Sequence, residues 1–431
     1  MMHRASAVPP AFVWLGSASS WMNPRRIRAQ LLILCLCLWG VCAVDFATPG
    51  LFDRAGNIKF QDCLPLYISA RLISQHRTIQ LYDESVIASE MQSIVPQPTR
   101  VRLATVYGPQ VALLFLPLAR FAFPVAGCIW ATVTVVIYVL CIYVLWQCCP
   151  NLRAYPGLVA LAAAAFPPLF HSFVRGQVSA LLATCFTATF LALRSRRDRL
   201  AGAALGLLIF KPQFLVAIPL ILLLSGAWQM LAGLTISALG QFAFAWICFG
   251  SGVMHAYFDK LWHISHWIST VELAKAPVQM HSLRSFWTLI LPWPQAAIVF
   301  YVLSSLAIIT LAVWSWRSSG PLALRFSALI LAAVLVNPHL FIYDLLVLAP
   351  VILLLVDWTL DRVNHSSAAW LQLLLYLAFV LPLLGPLTLW THFQLSVPAF
   401  IALQWTLWVV LRQSQAIEQL EKFASINLPD V

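Results

Sequence analysis

Long apolar runs without a single charged residue constrain this chain more than any other feature. Examples are residues 125–146, 298–314 and 371–381. A soluble domain carries about 25% charged residues, whereas this chain of 431 residues has 10% charged and 61% hydrophobic residues. Hydrocarbon must therefore solvate its surface, and backbone amides must be paired within each segment. The runs do not alternate as barrel strands do, so we predict an all-α polytopic membrane protein.

The net charge of +11 and the ten cysteines need a separate explanation. The basic residues are spread among short loops, which is typical of membrane orientation and contact with anionic headgroups rather than nucleic-acid binding. Most cysteines lie inside apolar runs, where they behave as small hydrophobic residues. We therefore predict no nucleic-acid partner, no metal and no cofactor. The spacing of His263 and His266 leaves a metal site there as a weak alternative.

Loops rich in lysine and arginine stay on the cytoplasmic side, and this rule predicts about 12 spans with both termini cytoplasmic. Residues 1–26 form a tail, residues 27–412 the transmembrane domain and residues 413–431 a second tail. Because no clear cleavage site follows the first run, we interpret it as an uncleaved span, with a cleaved signal peptide as the alternative. The predicted spans are residues 27–45, 125–148, 154–170, 178–193, the two halves of 200–223, 231–249, 296–314, 322–336, 340–356, 371–390 and 397–411.

Two long external loops are predicted, at residues 47–124 and 250–293. If residues 107–123 crossed the membrane, the arginines at positions 194–199 would lie outside, so we expect a re-entrant or interfacial helix there. Residues 200–223 contain Lys211-Pro212. Proline removes a helical hydrogen bond, so we expect a break that exposes Lys211 on the external side.

Several charged residues occur where a structural loop would not require them. Asp62 lies near the start of a predicted interfacial helix, where N-capping is the alternative role. Arg175 begins a span, where it either binds a ligand or extends to the headgroups. Lys211 and Asp344 lie within apolar runs, where charges are costly and usually functional. Lys211 or Arg175 could neutralise Asp344. Further external candidates are His281, Arg284 and His339.

The order of these elements resembles glycosyltransferase family 87, whose members have the GT-C fold and include polyprenol-phosphate-mannose-dependent mannosyltransferases. The resemblance spans about residues 25–412. It rests on Asp62 with Tyr67 and Ala70-Arg71, Leu81-Tyr82-Asp83, Tyr107-Gly108-Pro109, Gly176-Gln177-Val178-Ser179, Ala201-Gly202 with Lys211-Pro212, His281-Ser282-Leu283-Arg284, and Asn337-Pro338-His339 with Tyr343-Asp344.

The resemblance implies a GT-C-like bundle that transfers a sugar, mannose by default, from a polyprenyl-phosphate donor to a lipid or glycan acceptor. The active site would face the exterior of an inner (plasma) membrane. An acid in the first external loop is the expected base, so Asp62 is the catalytic candidate, with Asp45 and Asp53 in reserve. The candidate substrate-binding residues are Lys211, Arg175, Gln177, Arg284, His281, His339, Asp344, Tyr67 and Arg71.

The mechanism expected from this set is a single displacement with inversion, in which Asp62 deprotonates the acceptor and the cations hold the phosphate. A secondary transporter or lipid flippase is the main alternative, because broken helices with buried charges also mark transport sites. A ligase of the O-antigen type is a third possibility.

Overall fold

The computed structural model describes residues 23–96, 106–275, 279–362 and 366–426, and its regular structure is helical. The α-helices are α1 (Pro24–Phe46), α2 (Leu64–Ser74), α3 (Glu84–Ile94), α4 (Pro109–Ala112), α5 (Phe123–Gln147), α6 (Pro156–Ala164), α7 (Pro167–Arg175), α8 (Ser179–Arg194), α9 (Asp198–Gly206), α10 (Ile218–Ser225), α11 (Trp228–Lys275), α12 (Leu283–Ile290), α13 (Pro294–Arg317), α14 (Leu322–Leu335), α15 (Leu348–Leu360), α16 (Ser366–Val380), α17 (Thr388–Thr391) and α18 (Ser396–Ile426). Short 3-10 segments occur at Thr78–Gln80, Leu113–Arg120, Asn151–Ala154, Leu207–Phe210, Pro212–Leu215, Ile342–Val347 and Leu381–Leu387. The predicted all-α class agrees with this architecture.

Within the described ranges, six helices are long and apolar enough to cross a membrane, for which about 20 residues are needed. They are Pro24–Phe46, Phe123–Gln147, Trp228–His263, Pro294–Arg317, Ile342–Leu360 and Ser367–Thr391. The pair α6 and α7, bent by 47°, would add a seventh. Other predicted spans correspond to shorter helices, such as α8 with 16 residues and α14 with 14. The total of 12 therefore stays a prediction.

The break predicted at Lys211-Pro212 is confirmed. Helix α9 ends at Gly206, and two 3-10 segments flank Lys211, whose own backbone is non-helical (φ −129°, ψ 74°). The predicted exposure of Lys211 is wrong, because its side chain is buried. The chain turns inward at the break, and the ammonium group reaches a carboxylate inside the bundle.

Both predicted external loops contain helices. The long segment α11 is kinked at Gly250, whose backbone is non-helical (φ 78°, ψ 172°), and its second helix continues to Lys275. Residues Pro109–Arg120 form one short apolar helical stretch, too short to cross a bilayer alone. Its interfacial or re-entrant position, like the domain boundaries, stays a prediction.

Glycines allow α9 and α11 to pack with their backbones in contact. A Cβ atom on Gly202 would lie 1.9 Å from the carbonyl oxygen of Met230, and one on Gly233 would lie 2.1 Å from that of Arg199. Small residues at such crossings let membrane helices approach closely and gain dispersion contacts. These contacts matter because no hydrophobic effect drives helices together inside a membrane. Close packing here fixes α9, and therefore the position at which the chain breaks before Lys211.

Burial differs sharply between the centre and the edge of the bundle. In the most apolar part of Ile342–Leu360, 78% of the residues are buried, against 6% for α1. Helix α14, which precedes this segment, is buried along almost its whole length. The segment that carries Asp344 is therefore the central element, whereas α1 lies at the periphery.

Candidate active site

Asp62 is held in place by backbone pairing with the end of α7. The Phe60 amide donates to the Val174 carbonyl at 3.2 Å, and the Asp62 amide donates to the Arg175 carbonyl at 3.0 Å. Gly176 ends α7 in the left-handed conformation (φ 69°), and a Cβ there would lie 2.8 Å from that of Cys63. Only glycine combines this backbone with so close an approach. The loop that carries Asp62 is thereby locked against the α7–α8 turn.

The Asp62 carboxylate does not cap a helix. Helix α2 begins after Cys63, without a side-chain cap. Instead, Oδ2 of Asp62 accepts a hydrogen bond of 2.8 Å from Nε2 of Gln177, and Nη1 of Arg175 lies 3.9 Å away. The side chains of Asp62 and Arg175 keep 23% and 25% of their exposure. Oδ1 of Asp62 accepts no hydrogen bond from the described residues, so it is available to a ligand.

Gln177 connects this carboxylate to the interior. Its Oε1 atom accepts hydrogen bonds from Nζ of Lys211 and from the hydroxyl of Tyr107, both at 3.4 Å. An amide that donates to a carboxylate on one side and accepts from a cation on the other has only one orientation that satisfies both contacts. Gln177 therefore fixes the carboxylate of Asp62 relative to Lys211.

Lys211 and Asp344 form a buried ion pair. Nζ of Lys211 lies 2.5 Å from Oδ1 of Asp344, which also accepts a 3.1 Å hydrogen bond from Ser179. The amide of Phe341 donates to Oδ2 of Asp344 at 3.4 Å, and the ring of Tyr343 lies 5.2 Å from the ammonium group. Such contacts offset the cost of removing both charges from water. Of the two cations predicted as partners for Asp344, Lys211 is the one in contact.

Three further predicted residues lie on two loops and at the start of α12, beside this network. The amide of His281 donates to the Leu340 carbonyl at 3.1 Å, and its Nδ1 atom lies 2.8 Å from Oγ of Ser396. The ring of His339 contacts that of Phe341, which stacks on Tyr343. Arg284 lies in the first turn of α12, where its charge acts on His339.

Burial keeps both histidines of these loops neutral. It lowers the pKa of His281 to about 3 and that of His339 to about 4. At His339 the charge of Asp344 opposes this effect of burial, whereas the charges of Lys211 and Arg284 reinforce it. Burial likewise raises the pKa of Tyr107 to about 12, so its hydroxyl stays a hydrogen-bond donor. The positive charge beside Asp62 therefore comes from arginine and lysine rather than from histidine.

Tyr67 and Arg71 make structural contacts rather than joining the network. The hydroxyl of Tyr67 donates to the Phe121 carbonyl at 2.6 Å, which ties α2 to the turn before α5. Arg71 lies 3.7 Å from Glu90 on α3. Of the reserve acids, Asp53 accepts hydrogen bonds from Asn57 within its own turn. Asp45 lies at the end of α1 and is half-buried.

Four residues beyond the predicted site belong to the network or its edge. Ser179 and Tyr107 bond to it directly, and the ring of Tyr343 covers Lys211. His171, about one turn into α7, lies close enough to His281 to lower its pKa further. The motifs that contain Tyr107, Ser179 and Tyr343 were visible in the sequence, but nothing local distinguished these side chains from core residues.

No group of three or more histidine, cysteine or acidic side chains suited to a metal occurs in the described part of the chain. Nδ1 of His263 bonds to the Asp259 carbonyl, and the side chain of His266 lies outside the described residues. The absence of a metal and of a cofactor stays a prediction.

The fold and the site together define a class of protein: a polytopic helical membrane protein with a partly exposed carboxylate and arginine above a buried ion pair. The sequence model of glycosyltransferase family 87 matches residues 105–342, more than half of the chain. The chain belongs to glycosyltransferase family 87. No curated protein and no solved structure matches it.

The residues that the family model matches include only part of the site. It includes Arg175, Gln177 and Lys211, whereas Asp62 lies before the matched residues and Asp344 lies just beyond them. The hydrogen bond from Gln177 to Asp62 and the ion pair from Lys211 to Asp344 join both carboxylates to the matched region. Family membership makes the chain a glycosyltransferase, which favours sugar transfer over the transporter and flippase alternatives.

Proposed function

We propose that this glycosyltransferase moves a sugar from a polyprenyl-phosphate donor to a lipid or glycan hydroxyl, by a single displacement with inversion. The observation that carries the proposal is the state of Asp62. One carboxylate oxygen is fixed by Gln177, the other has no partner among the described residues, and Arg175 lies beside them. A base next to a cation suits a reaction in which a hydroxyl loses a proton while a phosphate leaves.

In this mechanism Oδ1 of Asp62 takes the proton from the acceptor hydroxyl. The acceptor oxygen then forms a bond to C1 of the sugar on the face opposite the phosphate. The bond between C1 and the phosphate oxygen breaks, and its electron pair leaves with the polyprenyl phosphate. The phosphate thereby gains negative charge, which a neighbouring guanidinium group stabilises through paired hydrogen bonds.

Arg175 is the cation best placed to hold that phosphate, because it is partly exposed and lies 3.9 Å from Asp62. Arg284 is a second candidate, since it is half-buried and has no ion pair among the described residues. Lys211 is committed to Asp344, and its contact with Gln177 gives it a positioning role. This assignment refines the expectation that Lys211 binds the phosphate directly.

The membrane supports a lipid-linked donor. A polyprenyl chain dissolves in the bilayer beside the site, so no separate nucleotide-sugar domain is needed. We propose mannose as the first sugar to test and an external orientation of the site in a plasma membrane, both from the family and from the positions of the arginine-rich loops. The partners would then be the donor, the acceptor and the surrounding lipids.

The test is sugar transfer by the purified protein in nanodiscs, with short-chain polyprenyl-phosphate mannose and a mixed lipid acceptor pool. We expect transfer by the wild type, inversion at C1 and loss of transfer in Asp62→Asn. Glu84→Gln is the matched control, because Glu84 is an exposed acid in the same region that pairs with Lys260. Near-normal transfer by a folded Asp62→Asn protein would remove Asp62 as the base. Absence of transfer from every polyprenyl-phosphate sugar would contradict the proposed donor.

A further inference from the structure

An apolar groove lies at the end of the bundle opposite Asp62. It has a cavity volume of about 330 Å³ and runs between α1, α6, α15 and α16. Its lining begins at Pro24, the first residue of α1, whereas Phe46 at the other end of α1 contacts Phe60 beside the Asp62 loop. Phe166, just before α7, also lines the groove, and Arg175 at the far end of α7 reaches the site.

The interior of the groove offers a ligand almost nothing but hydrocarbon. Leucine, isoleucine, valine, alanine and phenylalanine make up most of its lining. Two of its polar groups satisfy each other, since the hydroxyl of Tyr376 donates to Oε1 of Gln30 at 3.2 Å across the gap between α16 and α1. Apolar cavities do not hold water. Because α1, α15 and α16 belong to candidate membrane spans, the matching occupant is a lipid chain.

Positive charge surrounds one end of this groove. Arg25, Arg26 and Arg28 are exposed on the first turns of α1, next to the lining residues Pro24 and Ile27. Arg153 follows the lining residue Leu152, and Arg362 lies two residues after Leu360.

The acidic residues near this end of the groove, which we call its rim, already have partners within the protein. Oδ1 of Asp357 accepts from the amide of Leu152, and Asp361 pairs with Arg362 at 3.1 Å. The three arginines of α1 have no ion pair within the described residues. A hydrocarbon groove that ends at unpaired arginines is complementary to an anionic lipid, because basic pockets between spans bind acidic headgroups.

We infer that this groove binds one acyl chain of an anionic phospholipid whose phosphate lies against Arg25 and Arg28. The inference does not depend on the proposed transfer reaction. Helix α1 is little buried by protein, so a lipid wedged between α1 and α16 supplies packing that the chain itself lacks. The lipid thereby steadies the helix whose other end supports the Asp62 loop.

The competing occupant is the polyprenyl tail of the donor, descending from the opposite end. The two lipids share an aliphatic chain and a phosphate but differ in where the phosphate is held. A phospholipid depends on Arg25 and Arg28, whereas the donor depends on Arg175. Replacing either set of arginines therefore distinguishes a bound phospholipid from a bound donor.

The experiment measures phosphatidylglycerol retained by the detergent-purified full-length protein, using native mass spectrometry and lipid extraction. The first variant, Arg25→Gln with Arg28→Gln, removes charge, and its control is Arg317→Gln at the exposed end of α13. The second variant, Ala162→Phe, fills the groove. Its control is Ala160→Phe, which lies on the same helix but faces away from the groove.

We expect the double arginine variant to bind phosphatidylglycerol more weakly by about fivefold for each arginine removed. Ala162→Phe should lose the retained lipid, while both controls keep it, and phosphatidylcholine should not replace it. Unchanged retention in both groove variants would overturn the inference. Retention of a polyprenyl lipid that falls in Arg175→Gln, but not in the double arginine variant, would also overturn it. Circular dichroism and elution volume establish that each variant is folded.

Discussion

The two ends of α7 face regions with opposite chemistry. At its last residue, Arg175, polar groups from four parts of the chain interlock around Asp62 and Lys211. Before its first residue, at Phe166, the neighbours are almost entirely hydrocarbon, and charge appears only at the distant rim of the groove. In the first region most charged groups have a protein partner, whereas in the second the arginines of α1 have none among the described residues.

This difference has an energetic consequence. In the interlocked region, removal of one group leaves another buried and unpaired, so the cost is large and changes are not additive. At the rim of the groove, an exposed arginine leaves no buried partner behind. We therefore expect site variants to alter activity or folding strongly, and groove variants to alter lipid retention in roughly independent steps.

The largest effect is expected at Asp62. Asp62→Asn keeps the shape of the side chain and a hydrogen-bonding group near Gln177, but it removes the base. Transfer should fall by about 10²–10⁴-fold, which is the usual contribution of general base catalysis. Initial rates in nanodiscs measure this, and the phosphatidylglycerol content of the groove should stay at the wild-type level. A parallel loss of groove lipid would show that the two regions are not separate.

The second-largest effect is expected at the buried ion pair of Lys211 and Asp344. Lys211→Met leaves the buried carboxyl group of Asp344 without its partner, and we expect a loss of about 3–5 kcal/mol of stability. The double variant Lys211→Met with Asp344→Leu removes both charges and should recover much of that loss. Thermal unfolding in detergent gives the comparison. If the double variant were as unstable as the sum of the two single variants, the pair would not be coupled as the 2.5 Å contact requires.

A variant of Gln177 tests whether the hydrogen bond from this amide to Asp62 contributes to catalysis. Gln177→Leu removes the hydrogen bond to Asp62 but leaves the carboxylate in place, and such bonds to charged groups contribute about 1.5–3 kcal/mol. We expect kcat to fall roughly tenfold to a hundredfold, with a smaller change in KM. The rescue variant is Gln177→His, which restores a donor. An unchanged kcat in Gln177→Leu would show that Asp62 needs no positioning by this amide.

Because the buried side chain of His281 is neutral, we expect the stability of the protein to depend on pH. The folded pKa of His281 is about 3, below the ordinary value of 6.5, so the unfolded chain binds more protons between these values. Stability should therefore fall as the pH decreases from 6.5 towards 3. In His281→Gln this part of the loss should disappear, as measured by unfolding at several pH values. An identical pH dependence in both proteins would contradict a neutral buried His281.

The smallest effect is expected at Arg71. Although the family resemblance implied a substrate contact, its guanidinium pairs with Glu90 at the surface of the α2–α3 region. Arg71→Gln should leave transfer close to the wild-type rate and change stability by no more than about 1 kcal/mol. Arg175→Gln is the informative contrast, since it removes the cation beside Asp62. A large loss of transfer in Arg71→Gln would extend the site beyond the interlocked region.

Some features of this protein follow from the sequence without any tertiary information. The continuous apolar runs determine helices in a membrane, because no other spanning element satisfies backbone groups within one segment. The break at Lys211-Pro212 follows from the missing amide of proline, and the motif order led to glycosyltransferase family 87, which the family match confirms. Each of these is a local property or the order of local properties along the chain.

The tertiary structure decided which polar groups meet. The sequence placed Lys211 on the exposed side, because spacing along the chain does not show which way a side chain turns. Packing of α9 on α11 fixes the helix that ends before Lys211, and the left-handed turn at Gly176 fixes the loop that carries Asp62. Ion pairs between residues more than 100 positions apart depend on such packing, since each helix could face its neighbours in several ways before the bundle forms.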